Sequence, residues 1–334
     1  MKAANAQIIK ALHRLDFAAL WDDGRLSSSD GQRFRAPPGT LIGAYHPRYF
    51  GHYDKAVTVY THVSDRLGVF ATQVISCAPR EATYVLDGLL DNDTGLDPRL
   101  HTTDTHGFTE ALWGLCHLLG IDFMPRLKDL ADQRLWRPEG AVVPDALADL
   151  FAGTLDATMV VEQWDQLVRI AASLKARTAP AHVVLQRLTA GGPDDRVAKA
   201  LTALGRLVKT RNILRYLHDA PFRRLIQAQL NRGESRHALA RWLFFANQGE
   251  FRTGDYEMVM NKASCLSLLS NAAVLWNTLR MERIVTDLRA GGLAIADADL
   301  AHVWPLQRRH VVPSGVYFVN RTMPAFTLPE PVES

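Results

Sequence analysis

Three acidic residues lie in sequence contexts that are unusual for surface charges. Asp30 lies in SSSDGQRF, Asp104 in TTDTHGF and Glu234 in NRGESRHALARW. Carboxylates that converge on one point repel one another unless cations neutralise them, and such hard oxygen ligands favour Mg²⁺ or Mn²⁺. Two ions about 4 Å apart would activate a water or a 3′-hydroxyl and stabilise the leaving oxygen of a phosphodiester. The three residues are therefore candidate metal ligands and catalytic groups.

The sequence also predicts how each acid is held. Asp104 follows a short β-branched segment, and a carboxylate at the end of a strand is held rigidly by the sheet. Glu234 is predicted to begin a helix whose Leu239 and Trp242 are buried. Structural interpretations stay open, because Asp30–Gly31 is also a common turn pair and a Glu at a helix N-terminus is a favourable partner of the helix dipole. Spacing alone defines no motif.

The chain around Glu234 is strongly basic. Residues 204–241 hold nine basic and two acidic residues, whereas the whole chain carries a net charge of only +3. Arg241 lies two helical turns after Glu234, about 10 Å along the axis. A metal-bound phosphate with its neighbouring backbone held by arginine would suit this arrangement. The predicted DNA contacts are Arg232, Arg236, His237, Arg241 and His106.

Other interpretations of these residues remain. The basic residues could form only a solvated helix face. Residues 222–245 could form a helix-turn-helix, although the helix after Glu234 carries too little polar surface for recognition of a major groove. His106, two residues after Asp104, either assists at the acidic site or is a hydrogen-bonded loop histidine.

Composition excludes several classes of protein. The chain has 334 residues, of which 47% are apolar and 22% charged, as in ordinary globular proteins of about two domains. The three cysteines are scattered, which argues against a disulfide framework or a zinc site and favours the cytoplasm. No phosphate-binding loop, acyl-hydrolase motif or dinucleotide fingerprint is present. The apolar run 265–276 is too short and too polar to cross a membrane.

Periodicity predicts an α/β core followed by a helical region. Residues 56–63 and 69–77 are β-branched and predict a hairpin, and 101–106 predicts a further strand. From about residue 128 to 218 the pattern is almost wholly helical. Further helices are predicted at 8–20, 81–90, 108–119, 222–230, 235–246 and 262–288.

Several long blocks of the chain, in order, resemble the catalytic region of the replicative class II transposases, the Tn-three family. The resemblance extends from about residue 15 to about 318. The blocks include SSSDGQRFRAPPG, VTVYTHVSDRLGVF, HTTDTHGFTEALWGLCHLLGIDFMPRLKDL, WDQLVRIAASLK, LNRGESRHALARWLFFANQGEFR and NAAVLWNTLRMERIV. The acids of the family's DDE motif fall on Asp30, Asp104 and Glu234.

The resemblance implies a fold and a function. The expected fold is α/β, an RNase H-like mixed sheet flanked by helices, with a large all-helical insertion before the catalytic Glu helix. The expected function is that of a DDE transposase: hydrolysis at transposon ends and 3′-hydroxyl strand transfer into target DNA, with two Mg²⁺ ions that Mn²⁺ can replace. Action as a homodimer near the bacterial nucleoid, without a membrane, is also implied. The expected divisions are 1–25, a helical lead-in; 26–128, the first part of the core; 129–218, the insertion; 219–320, the helical return; and 321–334, a tail.

Two features depart from the family pattern. Its members carry large N-terminal regions that recognise the ends of the element, so end recognition by this chain is not expected. Arg308–Arg309 replaces a Trp–Glu pair, which affects local packing. The alternatives are an RNase H-like nuclease without strand transfer and a truncated, non-catalytic remnant that binds DNA or inhibits a transposase.

Overall fold

The structure is a computed structural model that describes residues 1–78, 81–104, 108–192, 194–244, 249–313 and 315–316, with the backbone alone at 48 and 49. The strands are β1 (Leu26–Ala36), β2 (Ala44–Tyr45), β3 (Lys55–Ser64), β4 (Val69–Ser76), β5 (Leu100–Thr103), β6 (Asp122–Phe123), β7 (Leu135–Pro138) and β8 (Phe151–Leu155). The α-helices are α1 (Lys2–His13), α2 (Asp16–Ala19), α3 (Pro47–Phe50), α4 (Val85–Leu90), α5 (Glu110–Leu118), α6 (Thr158–Glu162), α7 (Trp164–Lys175), α8 (Ala181–Thr189), α9 (Arg196–His218), α10 (Ala220–Leu243), α11 (Tyr256–Ala290) and α12 (Asp297–Leu300). Short 3₁₀ turns occupy Glu81–Tyr84, Leu130–Asp132 and Asp145–Leu150.

The main sheet is mixed, with β1 near its centre. Its order is β2–β3–β1–β5–β6, and β4 also pairs with β3. β3 runs antiparallel to β1 and β4, whereas β5 runs parallel to β1 and β6 parallel to β5. An antiparallel meander followed by parallel strands, with helices on both faces, is compatible with the expected RNase H-like core. The predicted hairpin is confirmed as β3–β4.

Local sequence accounts for the elements that border the acidic residues. β3 is a β-branched run, and its side chains are buried from Ala56 to Ser64 because helices cover both faces of the sheet. Thr109 caps the N-terminus of α5, and its side chain accepts a hydrogen bond from the Leu112 N–H. Gly120, with φ of 75°, follows the last turn of α5. α10 is capped in the same way by Asp219.

Two expectations about the helical part of the chain are wrong. The separate helices predicted at 222–230 and 235–246 are one continuous helix, α10, so Glu234 lies inside a helix and does not begin one. This continuity also removes the turn that a helix-turn-helix requires. Within 129–218, β7 and β8 form a parallel two-stranded sheet, so that region is not wholly helical. Its expected status as an insertion remains a prediction.

The longest helix, α11, belongs to the packed core. It is long and apolar enough to cross a membrane by length and composition alone. Its Asn271, however, accepts a hydrogen bond from the Val69 N–H of β4 and donates one to Asn5 of α1. Val274 and Leu275 of α11 pack with apolar residues of α1 and α2. Its apolar surface is therefore used to join the sheet to the N-terminal helices.

Candidate active site

Strand register brings Asp30 and Asp104 to adjacent positions of the sheet. Ser29 of β1 is paired with Thr103, the last residue of β5, in parallel register. Asp30 directly follows Ser29, and Asp104 directly follows Thr103. Because side chains alternate along a strand, both acids are directed to the same face of the sheet. The hydroxyls of Ser27 and Ser29 are each hydrogen-bonded to the His101 ring at 2.8 Å, and this links β1 to β5 directly beneath the two acids.

Helix α10 packs on the face of β1 that carries Asp30. Gln229 donates hydrogen bonds to Ser28 Oγ and the Val63 carbonyl, and Gln32 donates to the carbonyl of His237. The His237 ring lies 3.5 Å from Asp30 Oδ2 and 3.3 Å from Thr61 Oγ1. Glu234 lies on α10 one turn before His237, so the helix brings the third acid to the same face.

The pKa of His237 is affected by the neighbouring acids. Burial is the main cause that lowers the pKa of His237; Asp30 and Glu234 oppose the shift, and Arg236 and Arg241 add to it. His237 therefore feels the charge of two of the three predicted acids. The His237 ring contacts Asp30, and the phosphate contact predicted for it remains a prediction.

A fourth carboxylate, missed by the sequence analysis, lies beside the same centre. Glu81 begins the 3₁₀ turn before α4, and its Oε1 accepts a hydrogen bond from Arg33 at 3.1 Å. Burial, Asp30 and Asp104 together raise the pKa of Glu81 to about 7, against the opposing effect of Arg33. Glu81 therefore lies within electrostatic range of two of the three predicted acids. Nothing in the sequence around Glu81 signals this, because the contact depends on tertiary packing.

Gly31 explains how Glu81 approaches. A Cβ at Gly31 would lie 2.5 Å from Glu81 Oε1 and 2.5 Å from Thr58 Cγ2, closer than real side chains pack. The turn interpretation of Asp30–Gly31 is wrong, since both residues lie within β1. Glycine is needed here for close approach of a neighbour and not for a turn.

Asp30, Asp104 and Glu234 are not found, among the described residues, as a group of three acids whose ligand atoms all lie within 4.8 Å of one another. Among the described residues, three acids with ligand oxygens all within 4.8 Å of one another occur elsewhere, at Asp22, Asp23 and Asp65. A two-ion site needs wider spacing: with ions about 4 Å apart and ligands about 2 Å from each, oxygens are separated by as much as about 8 Å. The three predicted acids supply the carboxylate oxygens that hard divalent cations prefer as ligands.

The acidic group at Asp22, Asp23 and Asp65 is bound into the fold. Asp65 Oδ2 accepts hydrogen bonds from the N–H groups of Gly24 and Leu26 at 3.0 Å each, so it fixes the start of β1. Arg232 of α10 lies 3.6 Å from Asp22 and supplies a positive charge to the group.

The predicted DNA contacts divide into buried and exposed side chains. Arg232 donates to the Trp21 carbonyl, and Arg236 donates to the Ser270 carbonyl and to Asn271 Oδ1. Their residues are only 7% and 2% exposed, so DNA cannot reach them and the expected phosphate contacts are replaced by structural ones. Arg241 is exposed, and its contact with DNA remains a prediction. His106 lies outside the described residues.

Comparison with known proteins identifies the class of this chain. The fold is a mixed α/β sheet compatible with an RNase H-like core, with acids on adjacent strands and on the helix that covers them. A family model described as the Tn3 transposase DDE domain matches residues 1–317. The chain therefore belongs to the Tn3 transposase DDE domain family, as the sequence resemblance indicated.

The curated relatives are transposases of bacterial mobile elements. The transposase for transposon Tn21 of Escherichia coli is 40% identical over 94% of this chain and 32% of its own length. The transposase for transposon Tn501 of Pseudomonas aeruginosa is 39% identical over the same shares. The transposase for transposon gamma-delta of Escherichia coli (strain K12) is 36% identical over 99% of this chain and 32% of its own length. The chain thus spans about a third of the length of these relatives.

Proposed function

We propose that the chain is the catalytic domain of a DNA transposase, with Asp30, Asp104 and Glu234 as its catalytic acids. The observation that carries this proposal is the register of β1 and β5, which sets Asp30 beside Asp104 on the face covered by the Glu234 helix. The substrates are transposon-end DNA and target DNA. The chain acts in the bacterial cytoplasm, as part of a homodimer that holds two ends.

The three acids would bind two Mg²⁺ ions, which Mn²⁺ can replace. When bound, the ions supply Lewis acidity toward the scissile phosphate and its attacking and leaving oxygens. The protein supplies rigid placement: the serine hydroxyls bonded to His101 fix β1 against β5, and Gln32 and Gln229 fix α10 against β1. Such prior ordering means that little rearrangement is needed when the substrate is bound.

His237 orients Asp30 from the helix side. Its lowered pKa keeps the ring neutral near neutral pH, so it does not compete with cations as a permanent positive charge. Its ring bridges Asp30 and Thr61. We therefore assign His237 to positioning of the carboxylate.

A nicking and joining assay tests the proposal. With Mn²⁺ and DNA that carries an element end, Asp104→Asn should abolish nicking because the change removes a charged ligand and keeps the size of the side chain. The matched control is Asp23→Asn, an exposed acid of the other acidic group, which should nick normally. Ends with a pre-formed 3′-hydroxyl should yield joined products; cleavage without joining would instead identify a nuclease. Normal nicking by Asp104→Asn would refute the assignment.

A further inference from the structure

An open groove lies between the start of α5, the end of α8 and one face of α9. Its volume is about 610 Å³. Three cations, Lys199, Arg206 and Lys209, line it together with a single acid, Glu110. The cations are seven and three residues apart and so lie on one face of α9. We call this feature the basic groove.

The charge of the basic groove is only partly balanced by its own acid. Arg206 Nε donates to Glu110 Oε2 at 2.8 Å, with the two side chains 34% and 31% exposed. Lys199 is exposed, and Lys209 is half-buried. Burial lowers the pKa of Lys209; Glu110 opposes this shift and Arg206 adds to it. A bound anion would therefore relieve repulsion between neighbouring cations.

Aromatic rings hold two of these cations in place. The Arg206 guanidinium lies 4.5 Å from the centroid of the Trp136 ring, and Lys209 Nζ lies 5.9 Å from that of Phe108. The backbone N–H of Trp136 donates to Thr210 Oγ1 at 2.9 Å, which holds this part of β7 against α9. A long cationic side chain that is already ordered loses less entropy when it binds a phosphate.

The two helices that carry the groove, α5 and α9, pack closely against each other. A Cβ at Gly205 of α9 would overlap the backbone carbonyl of Glu110, and one at Gly114 of α5 would lie 2.8 Å from Leu201. Two helices that pack at this distance cannot move apart without exposing buried surface on both. The cations of α9 are thus held at a constant position relative to α5.

One residue on the rim of the groove is close in sequence to the acidic site. Phe108, on its rim, is four residues after Asp104, which places the two within about 14 Å even for a fully extended chain. A DNA strand rises about 3.4 Å per nucleotide, so this span corresponds to about four nucleotides. Phosphates about four nucleotides from a cleavage point at Asp104 would therefore reach the rim of the groove at Phe108.

We propose that the basic groove binds the sugar–phosphate backbone of DNA a few nucleotides from the scissile phosphate. This inference rests on the proposed function and adds a DNA-binding surface outside α10, where the sequence analysis expected all such contacts except His106. The contact is with phosphate oxygens and so is independent of base sequence.

Salt-dependent DNA binding tests the inference without catalysis. The variant Lys199→Gln/Arg206→Gln/Lys209→Gln is compared with Arg169→Gln/Lys175→Gln/Arg187→Gln, which removes three exposed cations that do not line the groove. Affinity for a short fluorescein-labelled duplex is measured by anisotropy over a range of KCl concentrations in EDTA. The groove variant should reduce the slope of log K against log[salt] by about three, and the control by less than about one.

The possible outcomes separate this inference from the proposed function. Equal slopes for the two triple variants, or no DNA binding by the unmodified chain, would overturn it. If the groove variant fails to fold, Lys199→Gln alone, at an exposed position, should still reduce the slope by about one. Retained nicking by Asp104→Asn would refute the catalytic assignment and leave the binding result standing.

Discussion

The basic residues of α9 and α10 differ in burial and in their partners, although they form one cluster in the sequence. On α10, Arg232 and Arg236 point into the protein and donate to backbone carbonyls and to Asn271. On α9, Arg206 and Lys209 lie half-buried against aromatic rings at the edge of an open groove. A count of charges therefore cannot identify a DNA surface; the packing of each helix decides which cations remain available.

Removal of a buried cation of α10 should give the largest effect. Arg236→Ala deletes the side chain that joins α10 to α11 and leaves a cavity, so we expect a loss of about 3 kcal/mol in the free energy of unfolding. Burial lowers the pKa of Arg236 to about 9, yet the group stays charged at neutral pH. Urea denaturation measures the change.

The matched control for this change is an arginine on a solvent-facing surface. Arg283→Ala removes a side chain that is 74% exposed, and its effect should be smaller than about 0.5 kcal/mol. If Arg236→Ala and Arg283→Ala cost the same, the structural role of Arg236 is wrong.

Titration of Glu81 should have an intermediate effect on the free energy of unfolding. Its pKa rises from near 4.5 to about 7 on folding, so the folded chain binds this proton more tightly than the unfolded chain does. The resulting stability is complete below pH 4.5 and is lost as the pH rises through 7. The stability of the wild type relative to Glu81→Gln should therefore fall by roughly 2 kcal/mol between about pH 5 and pH 7 in EDTA.

Denaturation of both proteins at each pH tests this value. Asp287→Asn, at a side chain that is 73% exposed, provides the control and should follow the wild type at both pH values. Parallel curves for Glu81→Gln and the wild type would show that the pKa of Glu81 is not raised on folding.

An exposed cation of α10 should give the smallest effect on stability. Arg241→Ala should change the free energy of unfolding by less than about 0.5 kcal/mol, because the side chain is exposed. If it contacts a phosphate, the salt dependence of DNA binding should weaken by about one unit of slope. A slope equal to that of the wild type would argue against a phosphate contact at Arg241.

The sequence predicted well those features that depend on local pattern. The β-branched runs of β3 and β4 and the capped helix α5 were recovered because period and capping are readable without tertiary information. The family resemblance supplied the RNase H-like expectation and the alignment of Asp30, Asp104 and Glu234. Neither source could supply the spacing between the acids.

Features that depend on tertiary packing were missed or misjudged. Asn231–Gly233 suggested a break in the helix, but packing of α10 on β1 favours one continuous helix. Glu81 can approach β1 because residue 31, which lies 50 residues earlier in the chain, is a glycine. Arg236 looked like a DNA contact because sequence shows charge and does not show burial.

The central claim is that divalent ions bind between Asp30, Asp104 and Glu234. Crystals soaked in Mn²⁺ would test it most directly, since anomalous scattering locates the ion without reference to activity. Two anomalous peaks are expected between these three carboxylates, and both should be lost in Asp30→Asn. Peaks confined to the group formed by Asp22, Asp23 and Asp65, with none beside Asp30, would contradict it.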